Sequence, residues 1–284
     1  MKPLLSLEES TPLSFFSSGF PSHVHGEAVD VSSPDMETFI APFSGTLLHS
    51  EKVKVGRPNR HAKVNYDVVS FLEVDGYKVK MLHVEPFLSA GQTFRKGEAI
   101  GKFLSTPYTG GDFPHAHLEG ITFRIPRLTE DKLSSVGKVL KVEEDFFDVQ
   151  VVDYAKAGKI HGLGVSKGIL NVSYPFACYG GILGEYTSLG QRVEIQDLPM
   201  GYVAKKIKRN AFLFEWKAGA ISSWDYDLSF KVLVNEPLCG SPFMEAVLSY
   251  GGYPLIRFFM KSEFKEGDEV NLYQLFSRCK KCWG

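Results

Sequence analysis

Apolar and polar positions alternate along this chain over short runs that end at Gly, Pro, Asn or Asp, and long stretches of helical spacing are scarce. Residues 68–74 and 77–83 are two such runs joined by Asp75-Gly76, a pair that tolerates positive φ at both central turn positions, so a β-hairpin is expected. Residues 28–31, the stretch leading from Gly45, and the run from His115 to Phe123 read as further strands. Downstream the pattern predicts strands at 139–142, 146–152, 168–174, 192–195, 211–216, 226–234 and 255–260, with a short helix over 238–250. Residues 124–138 carry Pro and charge and read as a connection containing a helical turn or two. The expectation is a mostly β protein in two domains, 1–124 and 125–284, the second a β-rich sandwich or barrel.

Composition narrows the function classes. With 284 residues there is enough chain to bury a sizeable core, and 13% aromatics with 27 Gly and 15 Pro suit many strands joined by turns. A formal net charge of -1 gives no global attraction for nucleic acid or an anionic membrane, and the basic group Lys205, Lys206, Lys208 and Arg209 reads as a solvated turn. No export signal and no apolar run near the roughly 20 residues of a membrane helix is visible, so a cytoplasmic location is expected. Of the four cysteines, Cys178 and Cys239 read as packed core thiols. Cys279 and Cys282 form a lone Cys-Lys-Lys-Cys near the C-terminus, without the second pair a zinc site needs. Trp216, Trp224, Tyr226 and Trp283 could form an exposed ligand platform, with core packing the default for most of them.

The chemistry concentrates in the first half. In Pro114-His115-Ala116-His117-Leu118-Glu119 the two histidines share one face of a strand, which is half of a metal site. Upstream, His23 and His25 precede Asp30 on the run Ala28-Val29-Asp30-Val31, where a carboxylate among apolar residues needs a compensating partner. His83 ends the hairpin; strict alternation would set it on the apolar face of Val79 and Met81. His49 and His61 read as surface or packing histidines, and His161 as structural.

His25 with Asp30, Ala41-Pro42-x-x-Gly45, Leu82-His83, Gly91-Gln92-x-x-x-Lys96-Gly97-Glu98-x-Ile100-Gly101, Ser105-Thr106 and Pro114-His115-x-His117-Leu118-x-Gly120 follow in that order. The series resembles the LytM/lysostaphin-type zinc metallopeptidases, whose domain is a β barrel-sandwich of the duplicated hybrid motif type. The resemblance covers about residues 23–123. It implies Zn2+ held by His25, Asp30 and His117, with His83 and His115 as the catalytic pair, and hydrolysis of a peptide or peptidoglycan-like substrate by metal-activated water. The chain departs from the family's usual His-x-x-x-Asp spacing: His25 lies five residues before Asp30, which keeps His23 as the alternative ligand. A competing reading is a non-catalytic binding or scaffold protein on the same barrel, with zinc structural or absent. A third is a carrier domain, to which Val79-Lys80-Met81 bears a faint likeness.

Overall fold

The computed structural model describes residues 2–16, 21–55, 59–173, 179–186, 188–215 and 244–278. Cys178, Cys239, Cys279, Cys282, Trp216, Trp224, Tyr226, Trp283 and the strand expected at 226–234 lie outside the described residues. The protein is mostly β, with a large antiparallel sheet and a small three-stranded one, and among the described residues no closed barrel forms. No described helix is long and apolar enough to cross a membrane. The chain divides into two compact units, Met1–Leu13 with Glu27–Arg124, and Ser14–Gly26 with Ile125–Gly284.

β1 (Thr11–Ser14) is the first strand of the chain, and in the first unit β2 (Ala28–Val31), β3 (Thr38–Ile40) and β4 (Gly45–Lys54) follow. The hairpin comes next, β5 (Tyr66–Val74) and β6 (Tyr77–Leu82), paired antiparallel from Val74↔Tyr77 back to Val69↔Leu82. Its turn residues Asp75 and Gly76 have φ of 52° and 77°, the conformation the sequence requires of them. Short strands β7 (Val84–Pro86), β8 (Thr93–Phe94) and β9 (Ala99–Phe103) lead to β10 (Ala116–Glu119). β3, β9 and β7 make the small sheet, where Gly101 lets the strands close up: a Cβ there would lie 2.3 Å from Val84 Cγ1.

One arrangement in this unit matters most. β10 lies between β2 and β6, antiparallel to both, with His117 opposite Asp30 on one side and Leu82 on the other. Cross-strand partners share a face. Residues Val29, Val31, Leu118, Val79 and Met81 therefore fill the core side, all at most 2% exposed, while Asp30, His117, Glu119 and Lys80 share the opposite side. Gly120 ends β10 at φ 87°, where a Cβ would meet the Lys78 carbonyl at 2.6 Å.

The second unit contains α1 (Pro21–Val24), strands β11 (Val136–Val142) through β22 (Glu269–Asn271), and α2 (Leu272–Arg278). The 139–152 hairpin is present as Val136–Val142 paired with Phe147–Val151. Its core draws Phe147, Phe214, Phe258 and Phe276 from four elements. Three expectations are corrected here. Residues 124–135 contain no helix, although a bridge joins Glu130 to Lys156. Met244–Tyr250 is a strand, its alternate apolar residues pairing against Leu255–Phe258, rather than the end of a helix. Lys205 and Lys206 lie inside the strand Leu198–Lys208 and only Arg209 enters the turn, because the strand runs out along the partner Ala211–Glu215.

Candidate metal centre

Asp30 and His117 are cross-strand neighbours on the polar face, and His117 Nδ1 lies 3.0 Å from Asp30 Oδ1. The other ring nitrogen, Nε2, donates to Glu119 Oε1 at 3.0 Å, two residues along the same strand face. Glu119 in turn pairs with Lys80 Nζ at 3.3 Å. Burial alone would raise the Glu119 carboxyl, but the hydrogen bond from His117 and the charges of His117 and Lys80 hold it at about 2. Both ring nitrogens thus face a carboxylate at 3.0 Å, and a metal ion beside Asp30 would take Nδ1 while Glu119 held the proton on Nε2.

His115 stands just before β10, and its Nδ1 donates to the Phe113 carbonyl at 2.7 Å. That leaves Nε2 with the lone pair, 3.8 Å from Asp30 Oδ2. Burial pushes the ring down to about 4, against the nearby Asp30 charge, so the ring is neutral at neutral pH. His83 closes the group, its ring centroid 5.5 Å from that of His115 and 6.1 Å from that of His117.

The position of His83 corrects the alternation argument. Its φ is 67°, a left-handed conformation at the point where β6 ends and β7 begins, so its side chain leaves the Val79–Met81 face and joins the histidines. Asp67 supports it: Oδ1 accepts from the His83 amide at 3.2 Å and the Val68 amide at 2.7 Å, and Oδ2 lies 2.8 Å from His83 Nδ1. Burial would raise the Asp67 carboxyl; the His83 charge and these hydrogen bonds bring it below its ordinary value. Tyr108 is half-buried, and burial with the Asp67 charge pushes its phenol up.

The histidine pair ahead of β2 is sorted by local geometry. α1 is a single turn, closed by the His25 amide on the Pro21 carbonyl and the Gly26 amide on the His23 carbonyl, and it buries His23 while leaving His25 exposed. His23 Nδ1 donates to the Phe15 carbonyl at 2.6 Å, so its Nε2 keeps the lone pair a metal requires. His23, Asp30 and His117 each offer a ligand atom within 4.8 Å of the others, all three are buried, and the group can hold a metal ion. His25, expected as the first ligand from its nearness in sequence, is not in it: the helical turn, not the residue count, decides which imidazole faces inward.

Two imidazoles and one carboxylate are a donor set for a metal ion, and the hydrogen-bonded second nitrogens of His23 and His117 suit them to it. Asp67 and Glu119 carried no signal of their own in the sequence reading. Glu119 continues the two-residue period of His115 and His117, and counting back along the hairpin from Val74↔Tyr77 sets Val68, the neighbour of Asp67, across from His83. Residues 3–128 match a family described as "Domain of unknown function (DUF8155) N-terminal domain". No curated protein and no solved structure matches the chain.

Proposed function

We propose that this chain is a zinc-dependent hydrolase of peptide or amide bonds, with His23, Asp30 and His117 as the ligands and His83 and His115 as the acid/base pair. The observation that carries the reading is the convergence of Asp30, His83, His115 and His117 on one polar strand face. Three ligands leave a coordination position open, and bound zinc supplies there a water acidified towards a pKa of about 7 and a Lewis acid for the scissile carbonyl.

The remaining chemistry belongs to side chains. His115, neutral at Nε2 and anchored through Nδ1, can take a proton and return it to the leaving amine. His83 can do the same on the other side of the group. Glu119 keeps His117 oriented for ligation rather than for proton transfer. The substrate class is a peptide, and residues 125–284 serve as an accessory.

A second reading is favoured by a specific observation. Asp30, His23, His83 and His117 are all at most 2% exposed and His115 only 7%, the enclosure of a structural rather than a catalytic ion. In that reading the chain is a non-catalytic scaffold stabilised by metal.

Elemental mass spectrometry of the purified full chain tests the shared premise. About one zinc per chain is expected, lost in His117→Ala and Asp30→Ala; stoichiometric zinc in Asp30→Ala would sink the ligand assignment. Hydrolysis of glycine-rich and D-alanine-containing peptides then separates the readings: activity abolished in His115→Ala with zinc retained supports the hydrolase, and zinc without activity on any peptide supports the scaffold.

A further inference from the structure

Asn171 is fully buried on β15 (Gly168–Ser173), and its side chain is directed at a stretch of chain far from it in sequence. Its Oδ1 accepts from the Phe15 amide at 2.8 Å, the Phe16 amide at 3.2 Å and the Ser14 hydroxyl at 3.1 Å. Its Nδ2 donates to Ser14 Oγ at 2.8 Å and to the Ala246 carbonyl at 3.1 Å, which ties the amide to the neighbouring strand Met244–Tyr250. Gly181, the cross-strand partner of Asn171, completes the seat: a Cβ on it would overlap the Phe16 ring. At the far end of the same segment Gly26 has φ 68°, and a Cβ there would overlap Ile207. Ser14–Gly26 is accordingly part of the compact unit that Ile125–Gly284 forms.

The Phe16 N–H and the Phe15 carbonyl are the two ends of one planar peptide group. Asn171 holds the first, and the His23 ring bonds to the second at 2.6 Å. Turning that peptide far enough to release one bond breaks the other as well. Phe15, Phe16, Asn171 and His23 are each at most 1% exposed, so the polar groups set free would be left buried and uncompensated. Resting on the ligand assignment above, we propose that Asn171 is the positioning residue for His23: it fixes the peptide that anchors the imidazole and so presents that imidazole to the metal. An amide side chain suits the work, since its oxygen takes both backbone amides while its NH2 group fastens it to the sheet. The accessory role of residues 125–284 thereby becomes a definite one. They hold the segment that carries a metal ligand, and metal affinity depends on a side chain that touches neither the ion nor the ligand's ring.

Asn171→Leu keeps a side chain of similar size and removes the clamp. Competition for zinc between the metal-stripped full chain and a chromophoric chelator should show affinity about 10- to 100-fold weaker in this variant, the range for partners behind metal-ligating histidines. In a His23→Ala background, read with a weaker chelator, the same substitution should change zinc affinity less than about 2-fold, because the imidazole it positions is gone. Leu275→Ala destabilises the same unit through α2, away from the clamp, and should leave zinc affinity unchanged. A full effect of Asn171→Leu without His23, or an equal loss in Leu275→Ala, would mean that Asn171 acts only through stability and overturns the proposal. Amide hydrogen exchange of the unsubstituted chain gives a reading that needs no variant to fold: by reciprocity, zinc should slow exchange at Phe15 and Phe16 by about 10- to 100-fold and leave the amides of α2 as they were. Exchange at Phe15 and Phe16 that ignores zinc, or slows only as much as that of α2, also overturns it. Zinc binding weakened by His23→Ala but not by Asn171→Leu refutes the positioning role alone. Zinc bound as tightly by His23→Ala as by the unsubstituted chain, or by neither, refutes the ligand assignment and the proposal with it.

Discussion

Glu119 offers the sharpest test of how the metal group is supported. Its Oε1 accepts from His117 Nε2 at 3.0 Å, and its side chain is 26% exposed, so substitution leaves the core intact. A hydrogen bond to a charged group contributes about 1.5–3 kcal/mol. At about 1.4 kcal/mol per factor of ten, its loss converts to about a 10- to 100-fold weaker metal affinity, the same range found for partners behind metal-ligating histidines. Glu119→Ala should show that full loss. Glu119→Gln keeps an acceptor and loses only the charge, so it should lie near the lower end. Lys80 approaches Glu119 at 3.3 Å but is 35% exposed, and a pair so hydrated contributes about 0.2–1 kcal/mol, so Lys80→Met should weaken zinc only a few-fold. The assay is competition for zinc between the metal-stripped protein and a chromophoric chelator, with circular dichroism to verify the fold. If Glu119→Ala binds zinc as tightly as the unsubstituted chain, His117 does not ligate through the nitrogen facing Asp30, and the tautomer argument fails.

Three further outcomes follow from separate parts of the chain. His23→Ala should lose stoichiometric zinc while His25→Ala keeps it, as measured by elemental analysis; the reverse would mean that the α1 turn is not what selects the ligand. Asp148 and Arg257 face each other across β12 (Phe147–Val151) and β21 (Leu255–Phe258) in a bidentate, buried pair at 2.7 and 2.9 Å, so Arg257→Met should cost about 3–5 kcal/mol in denaturant unfolding, whereas Lys141→Ala, whose pair with Glu143 is exposed, should cost under about 1 kcal/mol. A Cβ on Gly164 would lie 1.7 Å from the Lys132 carbonyl, in a stretch clamped by two hydrogen bonds to Ser134, so Gly164→Ala should destabilise by about 1–3 kcal/mol or more, and an unchanged unfolding midpoint would refute the close approach.

Strands with one face in water were the plainest to read from the sequence. The 66–82 hairpin was legible because its turn dipeptide and alternation agree, and the strand Arg192–Ile195 through its alternation. The strands Ile160–Val165 and Tyr179–Gly184 were not, because every residue in them is buried and glycines replace the alternating polar positions. In Tyr179–Gly184 the glycines admit neighbours: a Cβ on Gly181 would lie 1.9 Å from Phe16. α2 was missed because about two helical turns pack Leu272, Leu275 and Phe276 inward and give too short a run for a period to register.

The same distinction explains the candidate site. Asp30, His115 and His117 sit on or beside regular strands, where a period of two and an antiparallel register convert sequence spacing into spatial proximity. His83 and His23 sit where regular structure stops, one at a left-handed residue between two sheets and the other on a single helical turn, and there spacing says nothing about direction. In both places a polar contact takes over the role of the backbone pattern: Asp67 for His83, and the Phe15 carbonyl for His23. A change that removes either contact should therefore disturb its histidine while the β2–β10–β6 strands persist. The residues that a period-based reading finds are those the fold must keep, and the residues it misdirects are those oriented by local polar contacts where the backbone pattern ends.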